Sequence, residues 1–109
     1  MATNYKVLGQ VNPAATTATS LYTVPASTQT IVSTITVANQ AASAGTYRIS
    51  VRIAAAADNA KQYLIYDASL SANSTDTMTL GITLAATDVV TVYASTANFS
   101  FNAFGTELS

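Results

Sequence analysis

The sequence predicts an all-β fold: a single antiparallel β-sandwich of about seven or eight strands, Ig-like or jelly-roll-like, preceded by an extended N-terminal arm. Three observations carry this reading. β-Branched residues recur in short blocks along the 109-residue chain. Two blocks, residues 46–54 and 77–84, alternate apolar and polar side chains with the period of a half-buried strand. Asn, Asp, Gly, Ser and Pro return between the blocks, about every 8 to 15 residues, as the turns of a sandwich require.

Residues 1–19 form the predicted arm, and residues 20–109 the sandwich domain. Tyr5, Val7 and Leu8 are an apolar patch closed by Gly9, and residues 12–19 that follow have no core-forming period. Apolar residues on an arm need burial elsewhere, so Tyr5, Val7 and Leu8 are the expected intersubunit contacts. The alternative is that Lys6 to Gln10 pairs as an edge strand of its own domain. Residues 20–24, closed by Pro25, make a short strand. In residues 29–39, Ile31, Ile35 and Val37 share one face, with Ser33 interrupting, and Val32, Thr34, Thr36 and Ala38 take the other.

Residues 46–54 place Tyr47, Ile49, Val51 and Ile53 in the core, against Arg48, Ser50 and Arg52. Residues 54–60 read as a loop with one turn of helix, because Ala favours helix and Asp58-Asn59 favours a turn. Residues 61–68 are apolar in both phases, Ile65 being the core choice, as in a strand covered on both sides. In residues 77–84, Met78, Leu80, Ile82 and Leu84 face the core, and Gly81 marks a bulge. Residues 85–88 are a tight connection. The last two strands, 89–94 and 98–104, add Val90, Val92, Phe99 and Phe101.

Hydrophobic residues make up 50% of the chain, but only 8% is charged and 8% aromatic, where ordinary soluble domains carry about 25% charge. So few charges weaken the repulsion that keeps free copies apart, and a small domain has a modest core. Both features suit a protein packed against neighbours. Lys6, Arg48, Arg52 and Lys61 are dispersed among five acids for a net charge of −1, which leaves no basic footprint for nucleic acid. Arg48 and Arg52 share one strand pattern and read as a solvated or interface face. The chain has no Cys, so no disulfide or thiolate metal site is expected. It has no apolar run long enough to span a membrane. The opening Met1-Ala2-Thr3-Asn4-Tyr5-Lys6 lacks the basic and apolar regions of a signal peptide, so export by that route is not expected.

Catalysis would need a base, a nucleophile and a group to orient them. His and Cys are both missing, and Asp58, Asp67, Asp76, Asp88 and Glu107 are spread along the chain, mostly beside turns. Asx-turn hydrogen bonding accounts for such positions. No spaced Asp/Asn cluster of the calcium-loop kind occurs, and the four glycines are isolated, so no phosphate loop exists. A non-enzyme without metal or cofactor is expected. The six tyrosines read as caps on a small core, hydroxyls at its rim, rather than as a ligand surface.

The runs Gly81-Ile82-Thr83-Leu84-Ala85-Ala86-Thr87-Asp88-Val89-Val90-Thr91-Val92-Tyr93-Ala94-Ser95 and Ser100-Phe101-Asn102-Ala103-Phe104-Gly105-Thr106-Glu107 resemble small virion structural proteins of tailed bacteriophages, especially those of marine and aquatic hosts. Tyr5-Lys6-Val7-Leu8-Gly9-Gln10, Pro13-Ala14-Ala15-Thr16-Thr17 and Leu21-Tyr22-Thr23-Val24-Pro25 are similar to the N-terminal half of the same family, so the resemblance covers most of the chain. It implies a capsid decoration (cement) protein on the virion surface, made in the host cytoplasm. Such a protein binds the major capsid protein or another virion protein as a homo-oligomer, with a trimer at three-fold positions as the expected form. It carries no catalytic, cofactor or metal residue to this sequence. A tail, baseplate or head-fibre domain that binds the host surface is the alternative implied.

Overall fold

A computed structural model describes residues 2–109. Each block with β-branched residues and a turn on either side becomes a strand: β1 (Thr3–Val11), β2 (Thr19–Thr23), β3 (Gln29–Asn39), β4 (Gly45–Arg52), β5 (Tyr63–Leu70), β6 (Thr75–Leu84), β7 (Val89–Ala94) and β8 (Phe99–Leu108). They form two four-stranded antiparallel sheets, ordered β1-β8-β3-β6 and β2-β7-β4-β5. Consecutive strands alternate between the sheets except at β4 and β5, the one hydrogen-bonded pair that is also adjacent in sequence. The predicted helical turn near residue 54 is a pair of short 3₁₀ turns, Ile53–Ala55 and Ala60–Gln62.

The two sheets pack face to face on one hydrophobic cluster. Val32, Ile35, Val37, Phe99 and Phe101 from the first sheet meet Tyr47, Ile49, Val90 and Val92 from the second. The Tyr47 ring of the second sheet lies 6.2 Å from both Phe99 and Phe101 of the first. Among the described residues, every buried side-chain nitrogen and oxygen has a hydrogen-bond partner, as a small core with little energy to spare requires.

Bulges correct several sequence expectations. In β3 the register shifts between Val32 and Thr34 against β8, so Thr30 and Val32 point inward before the shift and Ile35, Val37 and Asn39 after it. The inward phase flips at Ser33, and Ile31, expected in the core, is 40% exposed. Gly81 sits at the matching irregularity of β6 with φ of +63°, as expected for a bulge glycine, and its neighbour Leu80 turns outward, 41% exposed. Ile53 lies beyond the end of β4, where Ala54 and Ala55 adopt left-handed backbone, and is 73% exposed. Val51, Ile65, Met78 and Ile82 are partly buried against the core. Leu84 is buried as expected, and Leu8, Leu21, Tyr22, Val24, Leu70, Ala94 and Ala103 complete the core with it.

Residues 3–11 are part of the first sheet rather than an arm. β1 pairs with β8 along its length, which is the edge-strand alternative, and a register shift between Val7 and Gly9 leaves Leu8 as the bulged residue. Leu8 enters the core, while Tyr5 and Val7 stay outside at 83% and 47% exposure. A Cβ on Gly9 would run into the Leu21 carbonyl oxygen of the facing sheet. Gly9 is therefore what lets β1 and β2 approach closely.

Candidate functional site

The two outer faces of the sandwich differ in kind. Pairing register places Thr3, Tyr5 and Val7 of β1, Phe104 and Thr106 of β8, Ile31, Thr34 and Thr36 of β3, and Thr77, Thr79 and Thr83 of β6 on the outer face of the first sheet. One row across it reads Tyr5, Thr106, Ile31, Thr83, and the next reads Val7, Phe104, Thr34, Thr79. Among the described residues no Lys, Arg, Asp or Glu falls on this face. Asp76 faces inward opposite Val37 and accepts a hydrogen bond from the Tyr47 hydroxyl at 2.8 Å. Lys6 and Glu107 share the inward register and pair at 3.4 Å. The result is a neutral Thr lattice with apolar side chains clustered around the bulges.

The second sheet gathers charge and aromatic rings on its outer face. β4 alternates Arg48, Ser50 and Arg52 outward, opposite Tyr93, Thr91 and Val89 of β7. On the other side, β5 is irregular between Ile65 and Ala68, with Asp67 at a φ of +52°. That bulge swings the Asp67 carboxylate onto Arg48, which donates from Nε at 2.6 Å and from Nη2 at 3.2 Å. The hydrogen bonds from Arg48 hold the Asp67 carboxyl below its usual range and push the guanidinium further up. The guanidinium also stacks 4.2 Å from the ring centroids of both Tyr66 and Tyr93. Tyr63 meets Tyr66 edge-on, centroids 4.9 Å apart at 85°. Beside them opens a groove of about 470 Å³ lined by Asp58, Asn59, Ala60, Tyr63 and Tyr66.

The tyrosines thus divide. Tyr22 and Tyr47 behave as the sequence suggested, their rings in the core and their hydroxyls at its rim. Tyr22 donates to Glu107 at 2.5 Å and shares a 2.8 Å hydrogen bond with Thr30. Burial, then the Glu107 carboxylate, raises its phenol from 10.0 to about 12. The same two causes, burial and the Asp76 carboxylate, push Tyr47 upward. Tyr63, Tyr66 and Tyr93 were missed as a group, because only the β5 bulge and the β4 and β7 pairings bring them around Arg48. Apolar character in both phases of residues 61–68 was the one available signal.

The carboxylates stay apart, each with its own task. Asp88 accepts from the backbone N–H of Ala54 and of Ala85, both at 2.9 Å, and so ties two loops together. Asp58 is 3.8 Å from Arg52 Nε. Among the described residues no group of three or more His, Cys, Asp or Glu side chains could hold a metal ion, and no helix is long and apolar enough to cross a membrane. Of the expected intersubunit contacts, Tyr5 and Val7 lie on the neutral face and Leu8 is spent in the core. Comparison with protein-family models, with curated proteins and with solved structures finds no match for this chain.

Proposed function

We propose that this protein is a non-enzymatic virion structural protein, a capsid decoration (cement) protein that binds the assembled shell through the outer face of its first sheet and bridges neighbouring capsomers. The observation that carries the reading is the absence of charge on that face among the described residues, together with the exposure of Tyr5, Val7, Ile31 and Leu80 on or beside it. Desolvating such a surface strands no ion, whereas desolvating the second face would bury the Arg48 and Arg52 pairs. The resemblance of the chain to small phage structural proteins supplies the particle. The strand order β1-β8-β3-β6 opposite β2-β7-β4-β5 supports a jelly-roll reading of the sandwich, an architecture at home in capsid proteins.

Size argues for an oligomer. Four strands about 4.8 Å apart and ten residues of about 3.3 Å give a face of roughly 600 Å², below the ~800 Å² per partner of a standard interface. A trimer linking three such faces gains affinity by multivalency. The second reading, a tail, baseplate or head-fibre domain that binds the host surface, is favoured by the aromatic groove on the opposite face.

The test is to add purified protein to particles and count bound copies. Hundreds of copies support the decoration role, and about six to a few tens the tail or fibre role. Ile31→Lys, which places a charge on the neutral face, is expected to abolish particle binding while leaving the melting temperature unchanged. Undiminished binding by that variant overturns the assigned face.

A further inference from the structure

We infer that the groove beside Tyr63 and Tyr66 is a binding site for a neutral saccharide, one pyranose ring seated on the tyrosine pair. The two rings stand nearly perpendicular at 4.9 Å, forming a floor and a wall. Tyr66 is 59% exposed, yet its ring is held in place by the Arg48 guanidinium stacked on it. A ring fixed before the ligand arrives loses little entropy on binding. The groove volume, about 470 Å³, lies in the range of small-molecule sites, about 300–1,000 Å³.

Charge selects the ligand class. The two arginines of this face are already paired, Arg48 with Asp67 at 2.6 Å and Arg52 with Asp58 at 3.8 Å. Lys61 lines a separate groove with Val51 and Ile53. A phosphate or carboxylate ligand would therefore find no free cation among the residues lining the tyrosine groove, and would meet the Asp58 carboxylate instead.

The polar groups present suit hydroxyls, each of which donates and accepts. Asp58, its side chain 60% exposed, offers carboxylate oxygens. Asn59 Oδ1 accepts from the Lys61 N–H at 3.2 Å, while the Gln62 side chain accepts from the Asn59 N–H at 3.0 Å. This reciprocal cap fixes the Asn59 side chain and leaves its amide N–H₂ to donate. A pyranose has an apolar C–H face for the tyrosine and a hydroxyl edge for Asp58 and Asn59, so both halves of the groove are used. The site lies on the face opposite the proposed docking surface and does not depend on that proposal.

Amide chemical-shift mapping of the full chain with methyl α-glucopyranoside, methyl β-galactopyranoside, N-acetylglucosamine, maltotriose, lactose and chitotriose tests this. At least one sugar is expected to give saturable shifts at residues 58–66 with a Kd of the order of 1 mM, unchanged by added salt. Tyr66→Ala and Tyr63→Ala should each weaken binding about tenfold or more, and Tyr66→Phe, which keeps the ring, should bind within about threefold of the parent. Ile31→Lys should bind as the parent does. The inference is overturned if no sugar shifts these residues up to about 50 mM, or if both alanine variants bind normally. It is equally overturned if inorganic phosphate or a proline-rich peptide occupies the groove and the sugars do not.

Discussion

The two outer faces of this sandwich rest on one core yet are built from opposite materials. The first sheet presents threonines and a few apolar side chains, and its charged residues turn inward at the rim, Asp76 to Tyr47 and Glu107 to Tyr22 and Lys6. The second presents Arg48, Arg52 and Asp67 with three tyrosines, its charges cancelled in place. The difference teaches that low total charge does not mean uniform low charge. Nine ionisable Lys, Arg, Asp and Glu side chains are distributed so that one face can be dehydrated cheaply and the other remains wet.

The largest expected effect separates stability from assembly within one strand. Leu8→Ala should cost about 2–5 kcal/mol, because it empties a core position, while Tyr5→Ala and Val7→Ala should stay within about 0.5 kcal/mol. Urea denaturation measures all three. Equal losses would mean that β1 does not carry the inward bulge that makes the first face what it is.

A smaller effect tests the rim beneath that face. Tyr22 has its phenol raised from 10.0 to about 12, so the folded state favours the protonated form. Its contribution is complete below about pH 10 and is lost as pH rises toward about 12. Thermal melts across this range should show the loss, and Tyr22→Phe should flatten the part due to this residue. Tyr47 adds a loss of the same sign.

The smallest effect lies on the second face. Arg48→Lys keeps the charge but loses the two-point contact with Asp67 and the stacking between Tyr66 and Tyr93, and should cost less than about 1 kcal/mol. Its sharper signature is in acid. The Asp67 carboxyl is held low by Arg48, so the stability it contributes is present above the ordinary carboxylate range and disappears as pH falls through its lowered value. NMR titration of Asp67 should show its midpoint move up toward the ordinary value in the Lys variant.

That the chain is β throughout, where most strands lie and that Gly81 marks a bulge are all legible in the residues alone, because period-two alternation and turn residues act within a few positions of each other. Phe99, Phe101, Ile49 and Val92 were legible as core for the same reason. Tertiary structure alone decided the phase flips at Leu8 and Ser33, since neither bulged position is a glycine and a mismatch between strands then leaves no mark in one of them. It decided that residues 3–11 are an edge strand, because the partner is β8, about a hundred residues away in the chain. It also decided that Arg48, Tyr66, Asp67 and Tyr93 meet. Their encounter needs β4 seated between β5 and β7 and a left-handed Asp67, and pairing between distant strands leaves no periodic trace in any one segment.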